Sequence, residues 1–324
     1  MTTGDAMMGT VPGCDLMDGV LVVHKEVGWT SHDVVAKIRQ LLGGTKVGHA
    51  GTLDPAATGV LPVLIGKGTR IAEYLVEWNK EYRAVLRLGE TTDTQDAMGT
   101  VLDHQETDQV TPAAIHEAVQ SFRGAIEQVP PMYSAVKVAG VPLYKSARAG
   151  KTIAREARTV VIHELEVLAI DGCDVTIRVM CSKGTYIRTL CADIGAALGV
   201  GGHLRSLERS RVGPLTLDRA LTIDDLVTRQ ALGGLGDDLL SLDQVLQHLP
   251  ALAVNEQTGS RVRHGVPVPL CGIVQRKPAE DEARNAPGMP IRIHDDGGQL
   301  LAIGRLPRQG NETIAIEKVL VSQE

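Results

Sequence analysis

Apolar positions along this 324-residue chain follow two periods, and the switches between them outline its elements. Residues 19–23 are a short continuous apolar run that predicts a buried strand. Ser31 offers a cap to a helix whose Val34, Val35, Ile38, Leu41 and Leu42 keep helical spacing, stopped by Gly43-Gly44. A second apolar run covers 60–65. Residues 81–88 alternate, with Tyr82, Ala84, Leu86 and Leu88 on one face and Arg83 and Arg87 on the other, the pattern of a half-buried strand. Thr111-Pro112 opens a helix with Ile115, Val119 and Phe122 on its core side and Gly124 at its end. Val175, Ile177, Val179 and Cys181 alternate again. That strand turns at Ser182-Lys183-Gly184 into a helix bearing Ile187, Leu190, Ile194 and Leu198.

Strands and helices intermingle without βαβ repetition, which predicts an α+β fold with a mixed, largely antiparallel sheet flanked by helices. The helical pattern stops near 247–250. Short β-like runs follow at 265–270, 290–293, 300–304 and 313–321, predicting a small β-rich domain over 250–324. Polar residues 275–287 read as a mobile loop inside it. Residues 1–18, rich in Met, Gly and Thr without periodicity, read as disordered, which leaves 19–249 as the main domain. No internal repeat is visible.

Composition narrows the class. Hydrophobic residues are 43% and charged residues 22% of the chain, the balance of a soluble globular protein. One Phe, two Trp and five Tyr leave the core to aliphatic side chains. No apolar run approaches the ~20 residues that span a bilayer, and the start lacks the basic and apolar regions of a signal peptide, so a cytoplasmic protein is expected. Cys14, Cys173, Cys181, Cys191 and Cys271 form no CxxC pair; reduced cysteines and no zinc site are expected. The net charge of −6 is unevenly spread. Over 141–158, Lys145, Arg148, Lys151, Arg155 and Arg158 face only Glu156; over 217–243, six aspartates face two arginines. A basic arm on an acidic body can bind phosphates by counterion release, although such a cluster alone is as often a solvated face.

The most specific chemistry lies in Gly48-His49-Ala50-Gly51-Thr52-Leu53-Asp54-Pro55-Ala56-Ala57-Thr58-Gly59. Pro55 fixes its own φ and pushes Asp54 out of the helical region, so one acid is displayed in an extended, glycine-rich loop. An isolated Asp-Pro pair would be a surface turn. Nearby, Gly66-Lys67-Gly68-Thr69 suggests a phosphate loop and fails the pattern: Leu61 stands where its first glycine belongs, and Gly68 follows the lysine.

The twelve residues resemble the signature of the bacterial tRNA pseudouridine-55 synthase (TruB) family. Three further stretches resemble family motifs in the same order: Lys25 with Gly28-Trp29-Thr30-Ser31 (Glu26 standing where proline is usual), Lys80-Glu81-Tyr82 with Thr92-Asp93-Thr94-Gln95-Asp96, and Cys181 through Leu190. The segment 199–209 is similar to another family element, with Glu208 in place of one of two adjacent basic residues. The resemblance covers most of the first 250 residues, and the last 75 or so look like the family's PUA-like RNA-binding domain.

This resemblance implies a tRNA pseudouridine synthase that isomerises the T-loop uridine at tRNA position 55 after flipping it out. It implies three catalytic residues: Asp54 as nucleophile or base, Arg188 as its guanidinium partner, and Tyr82 stacking on the base with its hydroxyl available for proton transfer. His49, Tyr186, Leu207 and Lys25 would contact the substrate. Lys145, Arg148, Lys151, Arg155 and Arg158, in an insertion at about 131–159, would clamp the T-arm stem-loop. No cofactor, metal, membrane or protein partner is expected, and the chain is expected to act as a monomer. The alternative is a non-catalytic RNA-binding or tRNA-folding protein of the same fold.

Overall fold

The computed structural model describes residues 18–138, 140–233, 235–308 and 312–321; most of the stretch expected to be disordered, with Cys14, lies outside them. Strand β1 (Gly19–Lys25) is followed by β2 (Val47–His49), β3 (Thr58–Ile65) and β4 (Lys80–Leu88). A hairpin of β5 (Glu90–Thr92) and β6 (Val101–His104) precedes β7 (Gly124–Gln128). A second small hairpin, β8 (Lys137–Val138) with β9 (Val141–Pro142), leads to β10 (Arg158–Asp171), β11 (Asp174–Cys181), β12 (Gly202–Val212) and β13 (Leu215–Thr216). The main sheet runs β1-β3-β12-β4-β11-β10-β7, with β2 beside β3 and β13 beside β12. Every pairing is antiparallel except β3 with β12, where Thr58 faces Glu208 and Gly59 faces Arg209. The sheet is mixed and largely antiparallel, as its sequence pattern predicts.

Helices α1 (Ser31–Leu41), α2 (Ala72–Val76), α3 (Pro112–Ser121), α4 (Leu143–Arg148), α5 (Ile187–Ala197), α6 (Ile223–Ala231) and α7 (Leu242–Val245) flank the strands. Thr30, not Ser31, caps α1: its hydroxyl accepts from the Asp33 amide, and the Asp33 carboxylate accepts from the Thr30 amide. That frees Ser31 for another task described below. Helices α3 and α5 pack Ile115, Val119, Leu190 and Ile194 against Leu86, Ile177 and Leu165. Helices α1 and α6 pack Val34, Ile38 and Leu226 against Val23, Leu61 and Val63. Each such buried aliphatic side chain contributes roughly 2 kcal/mol relative to an exposed one. Tyr82 and Leu207, neighbours across β4 and β12, pack against both groups and so mark the seam between them.

The C-terminal sheet holds β14 (Ala251–Val254), β15 (Val268–Pro269), β16 (Ile273–Lys277), β17 (Pro290–His294), β18 (Leu300–Arg305) and β19 (Thr313–Val319), in the order β15-β19-β18-β17-β14-β16, with helix α8 (Glu256–Arg263) against it. Part of the stretch expected to be a mobile loop is therefore strand: residues 275–277 pair with 251–253 through backbone alone, with their side chains in solvent. The β-rich unit shares a core with the main sheet, where Ile303 and Leu320 pack with Val22, Ile71, Tyr74 and Leu75. Arg70 donates to the Val319 carbonyl at 2.6 Å, and Lys318 pairs with Glu73 at 3.0 Å.

Candidate active site

The loop between β2 and β3 is anchored at the residue before its acid. Leu53 is buried in the core beneath α1, and its amide donates to the Ser31 hydroxyl at 2.9 Å while that hydroxyl donates to the Leu53 carbonyl at 3.2 Å. Asp54 follows, and its carbonyl accepts from the Ala57 amide at 3.0 Å, closing a tight turn over Pro55. With Leu53 directed into the core, the next side chain in this extended backbone points out into the cleft.

There Arg188, in the first turn of α5, meets it. Arg188 Nε lies 3.1 Å from Asp54 Oδ2, the arginine side chain 6% exposed and the aspartate 46%. The other guanidinium nitrogens donate to the Thr94 carbonyl (3.3 Å) and the Tyr133 carbonyl (2.7 Å), and Nη1 lies 3.6 Å from Asp96 Oδ2. Crowding by the cleft walls pushes the Asp54 carboxyl above its ordinary range, Arg188 pulls it back, and Asp96 pushes it up again. The arginine thus sits between two carboxylates, fixed in orientation by two carbonyls.

Tyr82, half-buried at the seam, and Tyr186, at the start of α5, both lie within the electrostatic reach of Asp54. Burial pushes both phenols up. Gln128 fixes the Tyr186 backbone, accepting from its amide at 3.0 Å and donating to its carbonyl at 3.3 Å. Leu207 completes an apolar wall beside Tyr82. His49 stands on β2, its ring edge-on to His32 at 5.5 Å, and burial keeps it below the usual histidine range. The acid, its arginine, two tyrosines and Leu207 are thus gathered around one loop.

Comparison with known proteins gives this geometry its context. The family description "TruB family pseudouridylate synthase (N terminal domain)" fits residues 39–187, and "tRNA pseudouridylate synthase B C-terminal domain" fits residues 188–252. The tRNA pseudouridine synthase B of Geobacter sulfurreducens is 48% identical over 251 residues, covering 78% of this chain and 83% of that one. That of Burkholderia lata is 42% identical over 327 residues, 99% and 96% of the two chains. This chain belongs to the TruB family. Among solved structures, a Cbf5-Nop10-Gar1 complex aligns with a TM-score of 0.74 at 32% identity, covering 94% of this chain and 85% of that one.

In this TruB-family chain Lys25, expected to contact the substrate, lies beneath the loop. Lys25 is 0% exposed; its ammonium donates to the carbonyls of Glu26, Trp29 (2.8 Å) and Pro55 (3.3 Å). It braces the loop from below and is shut off from the cleft, and burial draws its pKa down to about 8. The basic arm leaves the sheet between the paired strands β7 and β10. Lys145, Arg148, Lys151 and Arg158 are exposed on it, Arg155 is partly buried, and Arg148 stacks over the Tyr144 ring at 5.6 Å. The Tyr133 carbonyl at its root is the one that holds Arg188.

Three residues without a predicted role also belong to the site. Asp96 faces Arg188 from a turn in which Gln95, at φ 62°, is the one described non-glycine residue with positive φ; Thr94 Oγ1 and the Met98 amide hold its other carboxylate oxygen at 2.6 and 3.0 Å. Ser31 anchors the loop. Arg209 lies beneath it. The signals were present, all three lying inside quoted motifs and Ser31 read as a helix cap, but spacing along the chain does not reveal which face of β12 or which turn reaches the acid.

Proposed function

We propose that this chain converts uridine to pseudouridine at T-loop position 55 of tRNA. The observation that carries this reading is Asp54 held by Arg188 at 3.1 Å, with Tyr82 and Tyr186 in its electrostatic reach and Leu207 packed beside Tyr82. The reaction breaks the N1–C1′ bond, turns the uracil, joins C5 to C1′ and moves a proton from C5 to solvent while N1 gains one. It is redox-neutral and requires no cofactor. Asp54 acts as nucleophile or base, either of which needs the ionised form that Arg188 favours. The flipped base stacks on Tyr82 with Leu207 and Tyr186 about it, and His49 contacts the bases around the vacated position.

The arm at about 131–159 clamps the T-arm through its exposed cations, and the β-rich unit 250–324, packed on the main sheet through Ile303 and Leu320, extends the RNA surface of the domain 19–249. The chain works as a cytoplasmic monomer without a protein partner. No helix among the described residues is long and apolar enough to cross a membrane.

The test incubates an unmodified tRNA transcript with the protein and maps pseudouridine at single-nucleotide resolution, beside Asp54→Asn. Product at uridine 55 with the wild type, and none with a variant that still binds tRNA, is expected. Turnover by Asp54→Asn would refute the catalytic assignment, and wild-type binding without product would leave a tRNA-folding protein. Gel filtration and light scattering at micromolar concentration check the monomer.

A further inference from the structure

Arg209 is 1% exposed, yet its guanidinium meets no carboxylate among the described residues; it spends its donors on backbone carbonyls. Nε donates to Val60 O at 2.8 Å, Nη2 to Gly51 O at 3.0 Å and Nη1 to Thr52 O at 3.4 Å. These three carbonyls lie on both sides of Asp54. A buried cation without a counter-charge is costly, and nothing in the packing of a sheet demands one.

Its other neighbour is Tyr82. Arg209 and Tyr82 are direct partners across β12 and β4, where side chains on one face stand within ~5 Å of each other. The guanidinium lies beside the Tyr82 hydroxyl. Lys25, Lys80 and His49 also face Arg209, and Cys181 and Asp54 face Tyr82. The loop also closes tightly on the backbone of β12 at this residue. A Cβ on Gly59 would stand 2.3 Å from Arg209 O, and one on Gly51 would stand 3.5 Å from Nη1, at φ values of +104° and +100° that only glycine adopts freely. Gly59 is therefore required by the Arg209 backbone, while Gly51 sits in ordinary contact with the guanidinium.

We propose that Arg209 is the positioning residue that couples the acid to the tyrosine: it fixes the carbonyls flanking Asp54 and holds the Tyr82 hydroxyl in one arrangement with them. This inference rests on the pseudouridine synthase reading. Glu208, one residue earlier, faces Arg83 on the opposite side of the sheet and takes no part.

The experiment compares wild type, Arg209→Lys and Arg209→Gln in single-turnover pseudouridine formation at saturating tRNA, in tRNA affinity and in thermal unfolding. A lysine cannot span three carbonyls and the phenol, so the Arg209→Lys rate is expected to fall on the order of 100-fold, with affinity within about threefold of wild type, because small misplacement of a reacting group costs that much. Combined with Tyr82→Phe, the losses are expected not to multiply, since both act on one arrangement. A rate within about threefold of wild type, fully multiplicative losses, or loss of the folding transition in both variants would overturn the proposal. Should the wild type itself form no pseudouridine, the functional reading fails by itself; hydrogen exchange then decides the brace. Faster exchange in Arg209→Lys confined to residues 48–60 supports it, and unchanged exchange there overturns it.

Discussion

Ser31→Ala tests whether the position of Asp54 is set through the buried residue beside it. Ser31 is 1% exposed and serves both backbone groups of Leu53, accepting at 2.9 Å and donating at 3.2 Å. Alanine removes both bonds and leaves a buried amide without a partner, which costs about 1–3 kcal/mol. The carbonyl, with a second lone pair, adds less. Leu53 keeps its apolar packing, so the chain stays folded, but its backbone is free to shift. Asp54 is the next residue, and a displacement near 1 Å costs up to ~100-fold in rate. The expected result is a loss of about 1–3 kcal/mol in urea-induced unfolding, a tenfold to hundredfold slower single-turnover rate and unchanged tRNA affinity. A stability loss below about 0.5 kcal/mol with a normal rate would refute the anchoring. Weaker tRNA binding at a normal rate would refute it too, because Ser31 would then act on RNA recognition.

Three further expectations follow from charge. With ionised Asp54 as the proposed reacting group and its pKa raised, the acid limb of the rate profile should lie above the ordinary aspartate value of 3.8; Asp96→Asn should move that limb down and Arg188→Gln up, as rate measurements from pH 4 to 8 would show. Lys25 and Lys80 have pKa values lowered from 10.5 to about 8 by burial, so between those values the unfolded chain binds more protons and stability rises with pH, by roughly 1 kcal/mol per unit for each; urea midpoints at pH 7.5, 8.5 and 9.5 that stay flat would contradict this, and Lys80→Met should reduce the slope. Lys145→Glu with Arg148→Glu should weaken tRNA binding at low salt and reduce the logarithmic salt slope by about 1–2, with the rate at saturating tRNA retained; an unchanged slope in filter binding would remove the arm from the RNA surface.

Much of the fold can be read along the chain because the period of its apolar residues matches local backbone geometry. The elements Gly19–Lys25, Ser31–Leu41, Lys80–Leu88, Pro112–Ser121, Asp174–Cys181 and Ile187–Ala197 each stand where spacing places them. Strand β12 was not legible in this way. Its His203-Leu204-Arg205-Ser206-Leu207-Glu208-Arg209 alternates poorly, since it is bulged and places a charged side chain in the interior. Edge strand β16 was missed for the opposite reason, because backbone pairing holds it and its last four side chains are in water.

The site divides along the same line. Asp54 and its extended loop were legible because proline and glycine act through local sterics, which a linear motif records. Arg188 and Tyr82 were marked by motifs whose distance from Asp54 the sequence leaves undefined. The tertiary structure alone decided that Lys25 faces loop carbonyls, that Asp96 shares Arg188, and that Ser31 and Arg209 hold the loop from two sides. The physical reason is that burial and partner choice depend on which strands lie side by side. The parallel contact of β12 with β3, which brings Arg209 under Gly59, joins residues about 150 positions apart, beyond the reach of any local periodicity.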